Sequence, residues 1–324
     1  ELLHGFHRRP SIRILTRVMT AQAFTPASRV HADAPFQNAI IVANPVAGNG
    51  HGESAALELA EGLHSMGAST RVHLTQKRGD AFQWLRSSQH ECDLVVSIGG
   101  DGTLREVLAG LVNPETPVGI LPLGTANALA AELHLPRDVH HALEIISNGR
   151  VAKIDAATVN GSLSILVTSI GFDAMTVREL EARRNGPITK LSYFPAAMRA
   201  LRGYRSPELE IELDGEKLKE HYGMVFASNV NHYGGFMRLD PSGKLDDGMF
   251  EIFLFQKTNP IGLLWHVIRG LVGKLPSKNC EMRRARKLRV SSKTPVSYQI
   301  DGDYGGETPV ELALTGLQFK ILIP

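Results

Sequence analysis

Three apolar segments early in the chain each end in a glycine-containing turn and are followed by a helical pattern. These segments are residues 40–43, 95–98 and 118–121. Apolar runs that alternate with helical patterns are typical of parallel strands in an open α/β sheet. The carboxyl ends of such strands meet at one edge of the sheet, so the three turns can form one crevice. The pattern predicts a doubly wound α/β domain.

The turn after residues 95–98 is the most informative of the three. It reads Gly99-Gly100-Asp101-Gly102-Thr103. Glycines lack a Cβ atom, so backbone amides can approach a polyphosphate closely and positive φ angles become accessible. A helix predicted from near Thr103 points its positive end at the same anion, and Asp101 can contact a nucleotide-bound magnesium. Such a turn also occurs without a nucleotide, but the two neighbouring turns favour nucleotide binding.

Further motifs follow in order along the chain. The full set comprises Asn44-Pro45 with Gly48, the turn at residues 99–103, Pro122-Leu123-Gly124-Thr125 with Asn127, Lys153-Ile154-Asp155, Tyr233-Gly234-Gly235, Leu245-Asp246-Asp247-Gly248 and Gln299-Ile300-Asp301-Gly302-Asp303. This set resembles the catalytic domain of the diacylglycerol kinase and sphingosine kinase superfamily, especially its soluble bacterial lipid kinases. The resemblance covers residues 38–324, and the ordered set is more specific than any single motif.

Five positions depart from the pattern of that superfamily. Arg105 stands where an asparagine is common, and Ala126 and Ala128 replace a glycine and an aspartate. Phe236 replaces a third glycine, and Asp303 stands in place of a glutamate. The side chain of Asp303 is one methylene shorter, which puts its hydrogen-bond partner in question. We expect the other four changes to tune the site without abolishing it, whereas the change at Asp303 matters more and bears on the role of Asp303 itself.

The resemblance implies an ATP- and Mg²⁺-dependent kinase that transfers the γ-phosphate to a lipid hydroxyl, such as that of diacylglycerol or a sphingoid lipid. The residues implied for the ATP site are Asn44, Thr75, Gly99, Gly100, Asp101, Gly102, Thr103, Leu104, Arg105, Gly124, Thr125 and Asn127. The implied catalytic residues are Asp301 as general base, Asp303 and Asp101. Asp155 would help Asp101 to organise the catalytic magnesium, and a second magnesium would be held by Asp247 and the backbone carbonyls of Lys244 and Met249.

Local sequence leaves simpler interpretations open. Asp301-Gly302 and Asp247-Gly248 are both strong turn signals that need no chemical role. An NAD kinase shares the Gly-Gly-Asp-Gly-Thr turn and a similar two-domain plan, although residues 126–129 lack the Asn-Glu/Asp motif expected of that class. A catalytically weak, nucleotide- and membrane-binding regulator of the same fold is the non-enzymatic alternative, motivated by Arg105 and Asp303.

The chain divides into a leader and two predicted domains. Residues 1–37 carry scattered arginines without a long apolar core, which indicates a flexible leader or an organelle-type transit peptide. Residues 38–155 form the predicted ATP-binding domain, to which residues 316–324 return as a final strand. Short β-rich segments over residues 156–315 predict an antiparallel, sandwich-like domain for the lipid substrate.

Composition narrows the class of partner. The 324-residue chain is 43% hydrophobic and 21% charged, which suits a soluble globular protein. Its net charge of +2 is too small to argue for nucleic acid. The two cysteines imply no disulfide framework and favour a reducing cytosol, and no apolar run reaches the length of about 18 residues that spans a bilayer.

Two helical segments and one basic cluster suggest a membrane surface. The apolar stripe of the second segment consists of Ile261, Leu264, Trp265, Ile268, Leu271 and Val272, with Arg269 and Lys274 beside it. Residues 191–205 show a similar mixture, and residues 283–289 contain five basic side chains. Stripes of this kind usually pack on a core, but together with basic residues they predict peripheral contact of a cytoplasmic enzyme with an anionic membrane. The sequence leaves the acceptor lipid and the oligomeric state open, with a homodimer among the options.

Overall fold

The fold is known from a computed structural model. It describes residues 35–87, 91–183, 190–202, 204–233, 237–239, 243–256, 259–271 and 275–324. Most of the predicted leader lies outside these residues. The Gly234-Gly235 motif, Phe236 and Lys274 also lie outside the described residues.

Strands and helices alternate in the α/β half of the chain (residues 38–159). Its elements are β1 (Asn38–Ala43), α1 (Ala47–Gly50), α2 (Gly52–Ser65), β2 (Ser69–Leu74), α3 (Asp80–Ser87), β3 (Leu94–Gly99), α4 (Asp101–Gly110), β4 (Val118–Pro122), α5 (Ala128–Glu132), α6 (Val139–Asn148) and β5 (Arg150–Val159). Strands β2, β1, β3 and β4 lie side by side in that order and run parallel. Their carboxyl ends therefore share one edge, as the sequence predicts.

Helices cover both faces of this parallel sheet. α2 and α6 bury Leu59, Leu63 and Ile146 against one face, and α3 and α4 bury side chains such as Leu85 and Val107 against the other. Burial of each large aliphatic side chain stabilises the fold by about 1.5–3 kcal/mol relative to exposure. Apolar cover on both faces explains why β1 and β3 are continuous apolar runs. The doubly wound α/β architecture is confirmed.

The β-rich half (residues 162–309) follows, and the chain ends in one long strand. The elements are β6 (Ser162–Ser164), β7 (Val167–Ile170), α7 (Phe172–Ala182), α8 (Lys190–Leu201), β8 (Leu209–Leu213), β9 (Glu216–Lys217), β10 (Tyr222–Ser228), β11 (His232–Tyr233), β12 (Met237–Arg238), β13 (Phe250–Gln256), α9 (Pro260–Leu271), β14 (Cys280–Ala285), β15 (Lys287–Ser292), β16 (Ser297–Ile300), β17 (Asp303–Glu307) and β18 (Val310–Ile323). Neighbouring strands run in the order β17-β16-β7-β10-β8-β15-β18 and pair antiparallel. The predicted antiparallel texture is thereby confirmed.

The final strand, β18, belongs to both halves. Its first residues pair with β15, and Ile321 pairs in parallel with Val118 of β4. β5 lies antiparallel along β18, with an irregularity between Leu314 and Gln318. The predicted return of the last strand to the α/β sheet is confirmed. β5 itself runs without a break through Asp155, where the sequence predicts a domain boundary.

Three local differences from the sequence predictions have physical causes. The apolar sequence over residues 163–169, one of the predicted short β-rich segments, forms two strands, β6 and β7, because the intervening amides bind the Asp301 side chain instead of a neighbouring strand. α4 begins at Asp101 because Gly100 is its extended N-cap residue. β14 was not predicted, since its arginines resemble a solvated charge cluster, yet Cys280 and Ala285 are buried.

Among the described residues, no helix is both long enough and apolar enough to cross a membrane.

Candidate active site

Backbone hydrogen bonds join the three turns at the carboxyl edge of the parallel sheet. The Gly48 amide donates to the Leu123 carbonyl over 2.9 Å, which connects the first turn to the third. The amides of Leu123 and Gly124 donate to the Gly99 carbonyl over 2.8 and 3.0 Å, which connects the third turn to the second. The crevice predicted from the sequence is therefore one continuous backbone surface.

Close packing, and not unusual dihedral angles, explains the glycines of the second and third turns. A Cβ atom on Gly124 would lie 2.4 Å from the Gly100 Cα. Gly100 itself is extended, with φ −102° and ψ −174°. The prediction that glycines of this turn need a positive φ is therefore wrong for Gly100. Positive φ occurs instead in the first turn, at Gly48 and Asn49. Glycine is needed where the second and third turns touch because a side chain there would push them apart.

Asp101 ties the second turn to the third. It is the first residue of α4, and its Oδ2 accepts a hydrogen bond from the Ala128 amide over 3.0 Å, at the start of α5. Burial raises the pKa of Asp101, and the charge of nearby Asp301 raises it further, whereas amide donors of α5 lower it. Asp101 therefore joins the start of α4 to the start of α5.

A small recess behind the turns contains an unsatisfied polar atom. It is lined by residues that include Gly99, Leu104 and Asn127. The side-chain amide of Asn127 donates to the Gly124 carbonyl over 2.6 Å, and its buried Oδ1 has no partner among the described residues. Gly102, by contrast, has no neighbouring atom within 4 Å of where a Cβ would lie. A ligand can therefore approach the backbone at Gly102.

The other residues predicted for the nucleotide site lie at the same edge with different exposures. Thr75 directly follows β2, and its amide donates to the Ala43 carbonyl over 2.9 Å. The Oδ1 of Asn44 accepts the Val46 amide over 3.2 Å. Thr103 packs on Gly99, where an added Cβ would meet Thr103 Oγ1 at 2.6 Å. Thr125 is exposed, whereas Leu104 is only 3% exposed and contributes to the core.

Asp301 lies in the hairpin turn between β16 and β17. Asp301 and Gly302 have φ of 51° and 89°, so the simple hairpin interpretation is correct for the local backbone. The Asp301 carboxylate is nevertheless held by another segment. Its Oδ1 accepts hydrogen bonds from the Ser164 hydroxyl and from the amides of Leu166 and Val167, each over 3.0 Å. Its Oδ2 accepts one hydrogen bond, from the Ile165 amide over 2.9 Å. Oδ2 thus has more free acceptor capacity than Oδ1.

Two arginines of the α/β half bind the residues around this turn. Arg105 of α4 donates from Nη1 to the Ile300 carbonyl over 2.7 Å and from Nη2 to Asp303 Oδ2. Arg78, between β2 and α3, contacts the same Asp303 oxygen at 2.5 Å. Burial raises the pKa of Asp301, and the Arg105 charge is the largest influence that lowers it. The Asp301 turn is therefore bound electrostatically to the helix that begins with Asp101.

Asp155 of β5 belongs to a second cluster, in which it contacts the turn that precedes β13. Its carboxylate accepts the Gly248 amide over 2.6 Å and the Gln318 side-chain amide over 2.9 Å. Its own amide donates to the Leu245 carbonyl over 2.6 Å. Buried Asp155 therefore fastens the predicted second metal loop to β5 and β18, and each of its carboxylate oxygens accepts one hydrogen bond from the protein.

The carboxylate of Asp247 faces a cation from a neighbouring strand. Its Oδ1 accepts the Met249 amide over 3.2 Å, and its Oδ2 lies 3.5 Å from Arg284 Nη1. Arg284 also binds buried Glu251 over 3.1 Å. Lys244, whose carbonyl is the other predicted ligand, is exposed. A metal ion at this turn would have to compete with Arg284 for Asp247.

Comparison with known proteins agrees with this arrangement. Residues 38–159 match the family described as the diacylglycerol kinase catalytic domain. Residues 166–323 match the YegS C-terminal NAD kinase beta sandwich-like domain. Proteins named diacylglycerol kinase from Staphylococcus aureus strains RF122 / ET3-1 and JH9 are 30% and 31% identical, each over 84% of this chain and 88% of the relative. The chain belongs to the diacylglycerol kinase family.

A solved structure supports the fold of this family member. The crystal structure of a diacylglycerol kinase from Bacillus anthracis str. Sterne has a TM-score of 0.71 and covers 90% of this chain and 99% of that one, at 22% identity. As a member of the diacylglycerol kinase family, the protein is a lipid kinase, a transferase that uses a nucleotide as phosphate donor.

Several residues around the site of this kinase were missed in the sequence. They are Arg78, Ser164, Glu181, Arg284 and Gln318. Arg78 is near Thr75 in the sequence, so a basic residue at that edge could have been noticed. The others act through tertiary contacts that no local pattern indicates. Elsewhere in the described chain, exposed His140, His141 and Glu144 of α6 offer ligand atoms within 4.8 Å of one another, outside the predicted metal residues.

Proposed function

We propose that the protein is an ATP- and Mg²⁺-dependent kinase that phosphorylates a hydroxyl of diacylglycerol, with a sphingoid lipid as the alternative acceptor class. One observation carries the proposal. Arg105 of α4, the helix that begins at Asp101 beside the glycine turns, donates to the Ile300 carbonyl over 2.7 Å and so holds the Asp301 turn of the β-rich half against that helix. Phosphoryl transfer needs a phosphate-binding surface and an aligned proton acceptor, and we assign these roles to the glycine turns and to Asp301.

The glycine turns suit the phosphates of ATP. The open space at Gly102 admits a ligand to the first turn of α4, whose amides and dipole favour an anion. The unpartnered Oδ1 of Asn127 lies beside the second turn and can accept a hydrogen bond from a donor group of a ligand. Predicted contacts of Asn44, Thr75 and Thr125 complete the edge on which the nucleotide would lie.

Asp301 is suited to accept the proton of the lipid hydroxyl. The hydroxyl oxygen would form a bond to the γ-phosphorus, the bond to the bridging oxygen would break, and the proton would pass to Asp301. Oδ2 is the atom with free acceptor capacity, since it holds one of the four hydrogen bonds. The raised pKa of Asp301 makes its carboxylate a stronger base. Asp303 contributes through its arginine partners.

Carboxylates near the turns fit a magnesium ion, which prefers oxygen ligands. When bound, magnesium neutralises charge on phosphate oxygens. Asp101 and Asp155 are the residues proposed to hold it, each retaining unused lone pairs. A second ion at Asp247 and the carbonyls of Lys244 and Met249 suits the donor set less well, because Arg284 already neutralises Asp247.

Exposed apolar side chains on α8 and α9 support peripheral contact of a cytoplasmic protein with an anionic membrane. Phe194 is 71% exposed, Ile261 79% and Trp265 56%. Large apolar groups at such exposure suit the headgroup boundary of a bilayer. The basic cluster at residues 283–289 gives weaker support, because three of its arginines pair with carboxylates. The homodimer stays a prediction.

The test is transfer of labelled γ-phosphate from ATP, with magnesium, to diacylglycerol, a sphingoid base and other lipids in mixed micelles, with NAD as a soluble acceptor. We expect label in one lipid class and a loss of about 10²–10⁴-fold in turnover for Asp301→Asn, with ATP binding retained. Strong residual turnover of this variant would exclude Asp301 as the base.

The same assay separates the alternatives. Label in NAD alone would identify an NAD kinase-like enzyme. Nucleotide-dependent binding to vesicles without label in any acceptor would identify the regulator. Activity that is independent of magnesium would contradict the proposed metal requirement.

A further inference from the structure

We propose that Arg105 is a positioning residue that fixes the Asp301–Gly302 turn relative to the nucleotide-binding turns, and not a ligand of ATP. The inference rests on the proposed role of Asp301. Arg105 binds the backbone before the turn, at the Ile300 carbonyl, and the side chain after it, at Asp303. Its guanidinium therefore straddles the two residues of the turn.

The helix that carries Arg105 makes this contact a rigid reference. α4 begins at Asp101, so Arg105 lies about one helical turn from the residue that caps α5. Its side chain is 17% exposed. A planar guanidinium can bind two acceptors in a fixed geometry, whereas a lysine ammonium is a flexible point charge. The position of Asp301 is thereby set against the phosphate-binding helix.

Apart from the pair that Arg78 forms with Asp303, the other described contacts of the turn come from its own half of the chain. The Asp301 amide donates to the Val167 carbonyl over 2.9 Å, and the Gly302 amide donates to Gln299 Oε1 over 2.7 Å. The carboxylate of Asp301 is held by the segment between β6 and β7. Removal of Arg105 would therefore leave the hairpin folded but free to shift relative to α4.

Arg78 is the matched control. It contacts the same Asp303 oxygen and lies 3.6 Å from Glu181, but its side chain is 59% exposed and its contacts here are with carboxylates alone. An exposed ion pair contributes little. A substitution of Arg78 removes one positive charge beside Asp303 and keeps the hydrogen bond from Arg105 to the Ile300 carbonyl.

The experiment compares Arg105→Gln, Arg105→Lys and Arg78→Gln with the wild type, using lipid kinase kinetics and direct ATP binding. For Arg105→Gln we expect kcat to fall about 10–100-fold because alignment is lost, with the KM and Kd for ATP within about twofold. Lysine should restore only part of kcat. Arg78→Gln, which removes charge beside Asp303 but keeps the bond to the Ile300 carbonyl, should lower kcat much less than Arg105→Gln does. A raised KM for ATP with unchanged kcat would overturn the proposal and make Arg105 a nucleotide ligand.

A second measurement does not depend on turnover. Amide hydrogen exchange of residues 300–304 should become several-fold faster in Arg105→Gln and stay unchanged in Arg78→Gln. Equal exchange in both variants and the wild type would overturn the positioning role. If the wild type phosphorylates no lipid, the proposed function fails, whereas the exchange measurement still decides whether Arg105 holds the turn.

Discussion

Arg105 and Asp303 form an ion pair between α4 of the α/β half and the start of β17 in the β-rich half. Both residues depart from the superfamily pattern, which has an asparagine and a glutamate at these positions. The shorter carboxylate of Asp303 meets the long cationic side chain of Arg105, so the two departures contact each other. Arg78 binds the same carboxylate oxygen.

This pairing predicts that the two positions are coupled. Asp303→Glu adds a methylene where two arginines already converge, so we expect a several-fold loss of kcat/KM. The double variant, Arg105→Asn with Asp303→Glu, should retain more activity than the sum of the two single losses predicts. The expected coupling energy is about 1–2 kcal/mol. A double-mutant cycle of kcat/KM measures it, and additive losses would show that the two residues act independently.

Two glycines should separate nucleotide binding from folding. Gly102→Ala meets no atom within 4 Å and adds a better helix former to α4, so we expect an unchanged or higher Tm. If phosphates approach this backbone, the KM for ATP rises at least about tenfold, which corresponds to 1.4 kcal/mol.

Gly124→Ala is the matched comparison, because its Cβ would lie 2.4 Å from the Gly100 Cα. That variant should have a lower Tm and should bind ATP more weakly. Thermal melts and ATP titrations of the two variants give the answer. Normal ATP binding by Gly102→Ala would place the phosphates elsewhere.

Removal of Arg284 should strengthen magnesium binding at the turn around Asp247. Arg284→Gln removes the cation 3.5 Å from the Asp247 carboxylate. We expect magnesium to raise the Tm of this variant more than that of the wild type, because an ion that binds the native state stabilises it. Arg283→Gln, which loses a pair with Glu281, is the control. A magnesium response that survives Asp247→Asn in the Arg284→Gln background would refute the site.

His266 should make the protein less stable in mild acid. It belongs to α9 and is 4% exposed, and its ring packs edge-to-face on Phe255. Burial lowers the pKa of His266, with a smaller contribution from Arg269. Below about pH 6.5 the unfolded chain binds a proton that the folded chain does not. The free energy of unfolding then falls as pH falls, by up to about 1.4 kcal/mol per pH unit, until the folded-state pKa is reached.

The variant His266→Phe lacks this proton. As the pH is lowered from 7.5 to 5.5, the wild type should therefore lose more stability than this variant does. Denaturant unfolding at both pH values measures the difference. A pH-independent difference would mean that His266 titrates normally in the folded protein.

Trp265 should report contact with membranes. It is 56% exposed, and Trp84 is the other tryptophan of the chain. In a Trp84→Phe background, we expect the fluorescence of Trp265 to shift to shorter wavelength on addition of phosphatidylglycerol vesicles, and less with phosphatidylcholine. Ile261→Ser should weaken the shift, whereas the same change at exposed Val112 should not. An equal response to both vesicle types would contradict an electrostatic contribution.

The sequence predicts most of the α/β half because its signals are local. The apolar runs ending at Gly99 and before Gly124 are continuous since helices cover both faces of the sheet, and the glycines mark the contacts between turns. The contacts of Asp301 could not be predicted in this way. Its partners are more than a hundred residues away in sequence, in a segment whose amides resemble an ordinary strand. Tertiary hydrogen bonds overrode local propensity there.

Charge clusters were harder to interpret. The arginines at residues 283–289 resemble a free basic patch, but Arg284 neutralises two carboxylates, one of them buried. A sequence shows the sign of a charge without its partner. The same limitation applies to Asp155. Its motif stands out in the sequence, but its hydrogen bonds to Gly248 and to Gln318 of β18 are tertiary contacts.

The pairing of β18 with β4 and β15 sets an order of assembly. β4 emerges from the ribosome long before β18, so the parallel sheet lacks its neighbouring strand while the β-rich half is still being made. A nascent chain can bury the helices of the α/β half early, but its sheet gains the strand beside β4 only after β18 has been made. The two halves of this kinase therefore complete their sheets together, with the same strand.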